Sequence, residues 1–241
     1  MGKHIKPVDD IMGQALMDYY KHQTAEPLMV KTSQSEAEEY DNAYFFRNFD
    51  EMPALEQKAL ELSKGKILDV GAGTGIHALY LQKHSLHVKA IDISELSVDI
   101  MKERGVKQAV CADFYELKGE KYDTLLFLMN GIGLVETMEG FEKFFKQCDH
   151  LLNKGGQILF DSSDIIYLFE EEDGSFLIDL SGKYYGEVDF QVSYKGMPSD
   201  PFPWLFIDFD NVQERAAAFG FEAELIQRGS HYDYLARIIK K

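Results

Sequence analysis

The stretch Lys66-Ile67-Leu68-Asp69-Val70-Gly71-Ala72-Gly73-Thr74-Gly75 decides the fold. A short apolar run carrying Asp69 passes into three glycines at alternate positions. Ile76, Leu79 and Tyr80 then begin a helical pattern. Strand, glycine-rich turn and helix, in that order, are how an open α/β sheet makes room for a nucleotide-like ligand. Glycine lets the backbone turn sharply and lets a ligand lie against bare peptide, because no Cβ intervenes. The spacing narrows the ligand. A dinucleotide fingerprint, G-x-G-x-x-G, would need a glycine at position 76, where the chain has Ile76. The pattern present is D-x-G-x-G-x-G, with Gly75 as its third glycine.

Further elements follow downstream in a fixed order. His87-Val88-Lys89-Ala90-Ile91-Asp92 reads as a second strand ending in an acid. Cys111-Ala112-Asp113-Phe114 comes next, then an apolar run from Tyr122 to Met129 followed by Asn130-Gly131-Ile132-Gly133. Leu151-Leu152-Asn153-Lys154-Gly155-Gly156 closes a helix ahead of a fifth strand at residues 157–160. Together these resemble the ordered motifs of the class I S-adenosylmethionine-dependent methyltransferases, over residues 64–165. The resemblance implies an α/β, Rossmann-like, seven-stranded and mostly parallel sheet with helices on both faces and an antiparallel C-terminal hairpin. It implies S-adenosyl-L-methionine as cofactor and S-adenosyl-L-homocysteine as product.

The remaining sequence embellishes that core, and the whole is read as one domain, 1–241. Residues 1–63 are expected to form an N-terminal helical cap. Ile11, Ala15, Leu16 and Tyr19 share one helical face, and a second helix near Pro53 carries Leu55, Ala59 and Leu62. Between them lies the aromatic cluster Tyr40 to Arg47. Residues 64–162 are the cofactor-binding core, in which Ser94 is expected to cap a helix and Gly105 to stop it. Residues 163–209 break the repeat. Residues 186–194 alternate apolar and polar with period two, and Trp204-Leu205-Phe206-Ile207 follows a turn-rich stretch. These are expected to form a small β insertion, or lid. Residues 210–241 supply a helix, for which Asp210 and Gln213 have capping-box spacing, and the closing hairpin.

The resemblance also assigns roles. The loop Asp69, Gly71, Ala72, Gly73, Thr74 and Gly75 would admit the methionine part and the ribose, with Asp69 near the ammonium. Asp92 would accept both ribose hydroxyls, since an ionised carboxylate is acceptor-only. Asp113 would accept from the adenine amino group, Ala112 would offer backbone contact, and Phe114 and Ile93 would cover the ring. Met129, Asn130 and Gly131 would contact the cofactor, with Asn130 either facing the methyl group or acceptor or simply forming an Asn-Gly turn. The polar residue, two prolines and aromatic of some amino-group methyltransferases do not occur there, which argues against base methylation. Tyr44 and Arg47 would close over the cofactor, with the planar Arg47 fork on its carboxylate; the alternative for Arg47 is a surface ion pair with Asp41, Asp50 or Glu51. Tyr184, Tyr185, Tyr194 and Trp204 are candidates for an acceptor wall. Among His150, His231, Asp161 and Asp164 no catalytic base is assigned, and no metal site is expected.

Composition bounds the function classes. The 241 residues carry a formal net charge of −16. That field repels a phosphate backbone, so a nucleic-acid acceptor is disfavoured. No run of 18 apolar residues is present, so no membrane span is expected. Residues 1–6 lack a signal-peptide core, and Cys111 and Cys148 make no disulfide framework, so a cytoplasmic setting is expected. A small-molecule acceptor is the leading expectation. A cofactor-binding scaffold without turnover, and a protein methyltransferase, are the alternatives. The sequence is silent on oligomeric state.

Overall fold

The computed structural model describes residues 4–178 and 182–240; positions 1–3 of the N-terminal reading, 179–181 of the expected insertion and 241 of the closing hairpin lie outside the described residues. In chain order the elements are α1 (Ile11–His22), β1 (Leu28–Thr32), β2 (Ser35–Tyr40), α2 (Ala54–Leu62), β3 (Lys66–Val70), α3 (Ile76–Lys83), β4 (His87–Asp92), α4 (Glu95–Glu103) and β5 (Ala109–Cys111). They continue with β6 (Tyr122–Phe127), α5 (Phe141–Leu151), β7 (Leu152–Ser163), β8 (Glu187–Tyr194), β9 (Met197–Pro198), β10 (Phe202–Leu205), α6 (Phe209–Ala218), β11 (Phe221–Arg228) and β12 (Asp233–Lys240). Short 3-10 turns, among them Asn42–Phe46 and Gly131–Val135, sit between them.

The main sheet has seven strands in the order β11-β12-β7-β6-β3-β4-β5. Strands β3 to β7 run parallel, whereas β12 pairs antiparallel with both β7 and β11. The central strands are buried on both faces, which is why Ile67, Leu68, Leu125 and Leu126 form continuous apolar runs instead of alternating. One face packs the aromatic helix α5, whose Phe141, Phe144 and Phe145 meet Phe127 and Phe160 in one core cluster. The other face packs α2 and α3 through Leu55, Ala59, Ile76 and Leu81. The chain leaves β3 for β4 on one side and reaches β6 on the other. The strand order therefore reverses between β3 and β6, where an open α/β sheet binds its ligand.

The N-terminal region is more than a helical cap. Strands β1 and β2 form a hairpin, and β1 pairs antiparallel with β8, Met29 opposite Ser193 and Thr32 opposite Phe190. The expected insertion and this hairpin thus build one second sheet, β10-β8-β1-β2, with β9 against β8. Helix α1 lies under it, burying Ile11 and Ala15 against Leu28, Val192 and Tyr194. Asp10 caps α1 by accepting from Gly13 N at 2.7 Å, and it also receives the Ser94 hydroxyl at the start of α4. Ser94 caps α4 as expected, accepting from Ser97 N at 2.9 Å. At α6 the cap is Asp208, which accepts from Asn211 N at 2.9 Å, instead of Asp210. Helical backbone starts at Phe209, two residues too early for an Asp210 cap.

Candidate functional site

The glycine loop has the shape of a cradle. Gly71 and Gly73 adopt φ of +68° and +54°, and a Cβ added at either would meet nothing within 4 Å. Their faces are open, so the space over them is free for a ligand. Gly75 differs. At φ +81° its added Cβ would fall 2.8 Å from Val106 and 2.9 Å from Met101, so this glycine serves packing between the loop and α4 with the turn after it. Thr74 is pinned from two sides. Its hydroxyl donates to the Phe45 carbonyl, and Arg104 Nη1 donates to its carbonyl and hydroxyl oxygens at 2.7 and 2.8 Å. Ala72 N donates to the Ile91 carbonyl at 3.0 Å, binding the loop to β4.

Asp92 ends β4 beside this cradle. One carboxylate oxygen accepts from Gly73 N and the other from Ser94 N, both at 2.9 Å. Those two bonds fix the carboxylate plane and leave lone pairs on both oxygens. Burial raises the Asp92 carboxyl above its ordinary value, against the pull of the two N–H donors. Ala112 N is already engaged by the Asp92 carbonyl at 2.9 Å, so Ala112 has only its carbonyl left to offer along the backbone. Asp113 accepts from Tyr115 N at 2.9 Å and caps the following turn. Ile93 stays half-buried next to it, and its carbonyl accepts from Ile5 N at 2.8 Å.

Phe114 is a correction. Its ring is only 4% exposed and sits edge-on to Phe127 at 5.2 Å and near Phe144 at 6.0 Å. It belongs to the core beneath the site, because the turn that Asp113 caps points residue 114 inward. Arg47 is a second correction. The two-pronged fork expected on the cofactor carboxylate is spent inside the protein, and only Nε is left without a partner. Nη2 pairs with Glu56 and Nη1 donates to the Tyr44 carbonyl, while the guanidinium lies 3.8 Å from the Tyr44 ring centre. Tyr194 is a third. It is buried, donates to Asp18 at 2.9 Å and packs with α1, away from any acceptor wall. Tyr184 and Tyr185 donate to Asp208 and Asp164, and Trp204 lies against Gly133, where an added Cβ would fall 2.1 Å from Nε1.

A buried polar group unread in the sequence lies under the loop. Glu56, on α2, accepts from Arg47 and from His77 Nε2 at 2.8 Å. All three side chains are nearly inaccessible. Burial pushes the Glu56 carboxyl up, but His77 and Arg47 outweigh that and hold it below its ordinary value. Removing one partner from a buried pair of this kind costs about 3–5 kcal/mol, because the other charge is left uncompensated. Asp69 and Asp161 are close by. Burial pushes each up to about 6; Asp92 adds to the rise at Asp69, and Glu56 adds to it at Asp161. Asp161 accepts from Asn130 N at 3.1 Å. Met129 and Asn130 both adopt left-handed backbone, φ +59° and +55°, which turns the end of β6 across Asp161. The Asn130 side chain is held by the Ser162 hydroxyl at 2.9 Å and the Leu205 carbonyl at 3.3 Å.

Three buried atoms here have no hydrogen-bond partner among the described residues: Asp69 Oδ2, Asp161 Oδ1 and Arg47 Nε. Leaving such atoms unpaired is costly. Two acceptors and one donor are the complement of an α-amino-acid zwitterion, whose ammonium donates and whose carboxylate accepts. A neighbouring carboxylate, Asp92, and bare glycine backbone suit a ribose. On a fold whose strand order opens between β3 and β6, these groups are of the kind that a nucleoside joined to an amino acid needs.

Comparison with known proteins agrees. Residues 68–160 match the family described as "Methyltransferase domain". The crystal structure of a SAM-dependent methyltransferase from Bacteroides fragilis, in complex with S-adenosyl-L-homocysteine, is 46% identical. It superimposes with a TM-score of 0.93, covering 100% of this chain and 99% of that one. A ubiquinone biosynthesis O-methyltransferase from Coxiella burnetii is 29% identical over 107 residues, 41% of this chain, and the match spans 44% of that enzyme's length. An uncharacterised Methanocaldococcus jannaschii protein, MJ1123, is 28% identical over 160 residues, 64% of this chain and 71% of that protein. The chain belongs to the class I S-adenosylmethionine-dependent methyltransferase family.

Proposed function

We propose that this methyltransferase acts on a small-molecule acceptor, with the cofactor held along the carboxyl ends of β3, β4 and β6. The observation that carries the cofactor placement is the open face over Gly71 and Gly73 beside the Asp92 carboxylate. In this reading Asp92 accepts the ribose hydroxyls, and Asp113, Ala112 and Ile93 meet the adenine. Asp69 and Asp161 take the ammonium, and Arg47 Nε together with the α3 N-terminus faces the carboxylate. When bound, S-adenosyl-L-methionine supplies a methyl carbon already activated by a sulfonium, open to in-line attack by an acceptor lone pair. The chain's share of catalysis is positioning and exclusion of water. Met129, Asn130 and Gly131 form the floor at the transfer end, and the composite sheet with Trp204 forms the roof. The formal net charge of −16 supports a small acceptor over a nucleic acid.

Two experiments test this. Asp92→Ala removes charged hydrogen bonds worth about 1.5–3 kcal/mol, so titration should show cofactor affinity about 10–100-fold weaker. Unchanged affinity would remove Asp92 from the site. For the acceptor, purified protein is incubated with methyl-labelled cofactor and a fractionated cell extract. Label in the low-molecular-weight fraction is expected, whereas label confined to protein would overturn the small-molecule reading.

A further inference from the structure

We propose that Glu56 is a positioning residue for the amino-acid end of the cofactor, acting by holding Arg47 away from the two carboxylates that receive the ammonium. The inference rests on the site reading above and goes beyond it, because Glu56 touches no part of the ligand. Its carboxylate stands where three elements meet. It is carried by α2, accepts from Arg47 of the segment that crosses the glycine loop, and accepts from His77 of the helix after that loop. The crossing segment is anchored on either side of Arg47. The Thr74 hydroxyl donates to the Phe45 carbonyl, Phe49 stacks on Tyr80 at 4.1 Å, and Gln57 Nε2 donates to the Phe49 carbonyl at 3.0 Å.

With the backbone fixed, the direction of the Arg47 guanidinium is set by its partners. Glu56 takes Nη2 and the Tyr44 carbonyl takes Nη1, which leaves Nε alone unpartnered. Asp161, which feels the Glu56 charge, and Asp69, which feels the His77 charge, each also keep one unpartnered oxygen. A guanidinium with no carboxylate of its own would turn to one of them, since a buried charge seeks a partner. That pairing would consume an ammonium acceptor and withdraw the donor from the carboxylate at the same time. Glu56 prevents it, and His77 steadies Glu56 from the opposite side.

The test separates the two halves of the ligand. Affinities for S-adenosyl-L-homocysteine and for 5′-methylthioadenosine, which keeps the nucleoside and thioether but lacks the amino acid, are measured by calorimetry. Glu56→Gln preserves shape and removes the charge. Glu56→Asp keeps the charge and shortens its reach to Arg47, and gives the same readout if Glu56→Gln does not fold. For either variant the expected result is a loss of 10-fold or more for S-adenosyl-L-homocysteine (order of magnitude, from one lost charged contact), with methylthioadenosine unchanged. Equal loss for both ligands would make Glu56 a purely structural residue and overturn the proposal, as would no loss for either. Asp92→Ala run in parallel checks the parent reading: it should weaken both ligands, and if it weakens neither, the nucleoside site itself is misplaced.

Discussion

At the scale of single residues, the glycines of one motif do different work. Gly73 faces open space, and Gly75 faces Val106 and Met101. Gly73→Ala should therefore cost stability only through its left-handed backbone, about 1–2 kcal/mol, while its methyl group intrudes on the ligand and weakens cofactor binding. Gly75→Ala adds a clash to the same backbone cost, and should lower the melting temperature clearly more. Equal melting temperatures for the two variants would contradict this division. The carboxylates give a pH signature. Burial places Asp69 and Asp161 at about 6, so the folded, ligand-free protein binds these protons more tightly than the unfolded chain does. Their contribution to stability is thus present at low pH and lost as pH rises from about 4 to about 6. An ammonium needs the ionised forms, so affinity for S-adenosyl-L-homocysteine should rise through pH 6 and flatten above it, with protons released on binding. Affinity independent of pH between 5 and 7 would exclude both residues from the ammonium site. The strand-end acids were legible because a motif surrounds them. Glu56 was not, because an acid on an amphipathic helix normally faces water, and only tertiary packing shows that this one is buried between Arg47 and His77.

At the scale of elements, the parallel core declared itself through apolar runs and turn glycines, whereas the second sheet did not. Strand β8 alternates clearly and was readable on its own. Strand β2, Ser35–Tyr40, exposes Glu36, Glu38 and Glu39, and so reads as a solvated loop. The chain segment that β1 joins lies far along the sequence, and its register with β8 is fixed by burial of Leu28 and Val192 over α1. Phe114 was misread for a related reason: an aromatic after an acid fits a ring-covering role, but the Asp113 cap turns it into the core. Strand β10 touches the turn after β6 at a tight point, where Trp204 lies on Gly133. Gly133→Ala should displace Trp204 and destabilise the fold by about 1–3 kcal/mol. Methyl transfer should fall more than cofactor affinity if, as proposed, the transfer end lies under that contact. A variant with wild-type turnover and unaltered Trp204 fluorescence would refute the placement of the roof.

At the scale of the whole molecule, two sheets meet over one reversal of strand order. The seven-stranded sheet supplies the cradle and the acids, and the composite antiparallel sheet ties the N-terminal segment to the insertion above them. No helix among the described residues is long and apolar enough to cross a membrane. The central claim is that this arrangement holds a nucleoside joined to an amino acid and not a dinucleotide. Calorimetric titration of the full chain with S-adenosyl-L-homocysteine, with NADH as control, tests it most directly. Micromolar, one-to-one binding of S-adenosyl-L-homocysteine and no heat from NADH are expected. Binding of NADH alone would contradict it, and would mean that Ile76 does not exclude a dinucleotide from the glycine loop.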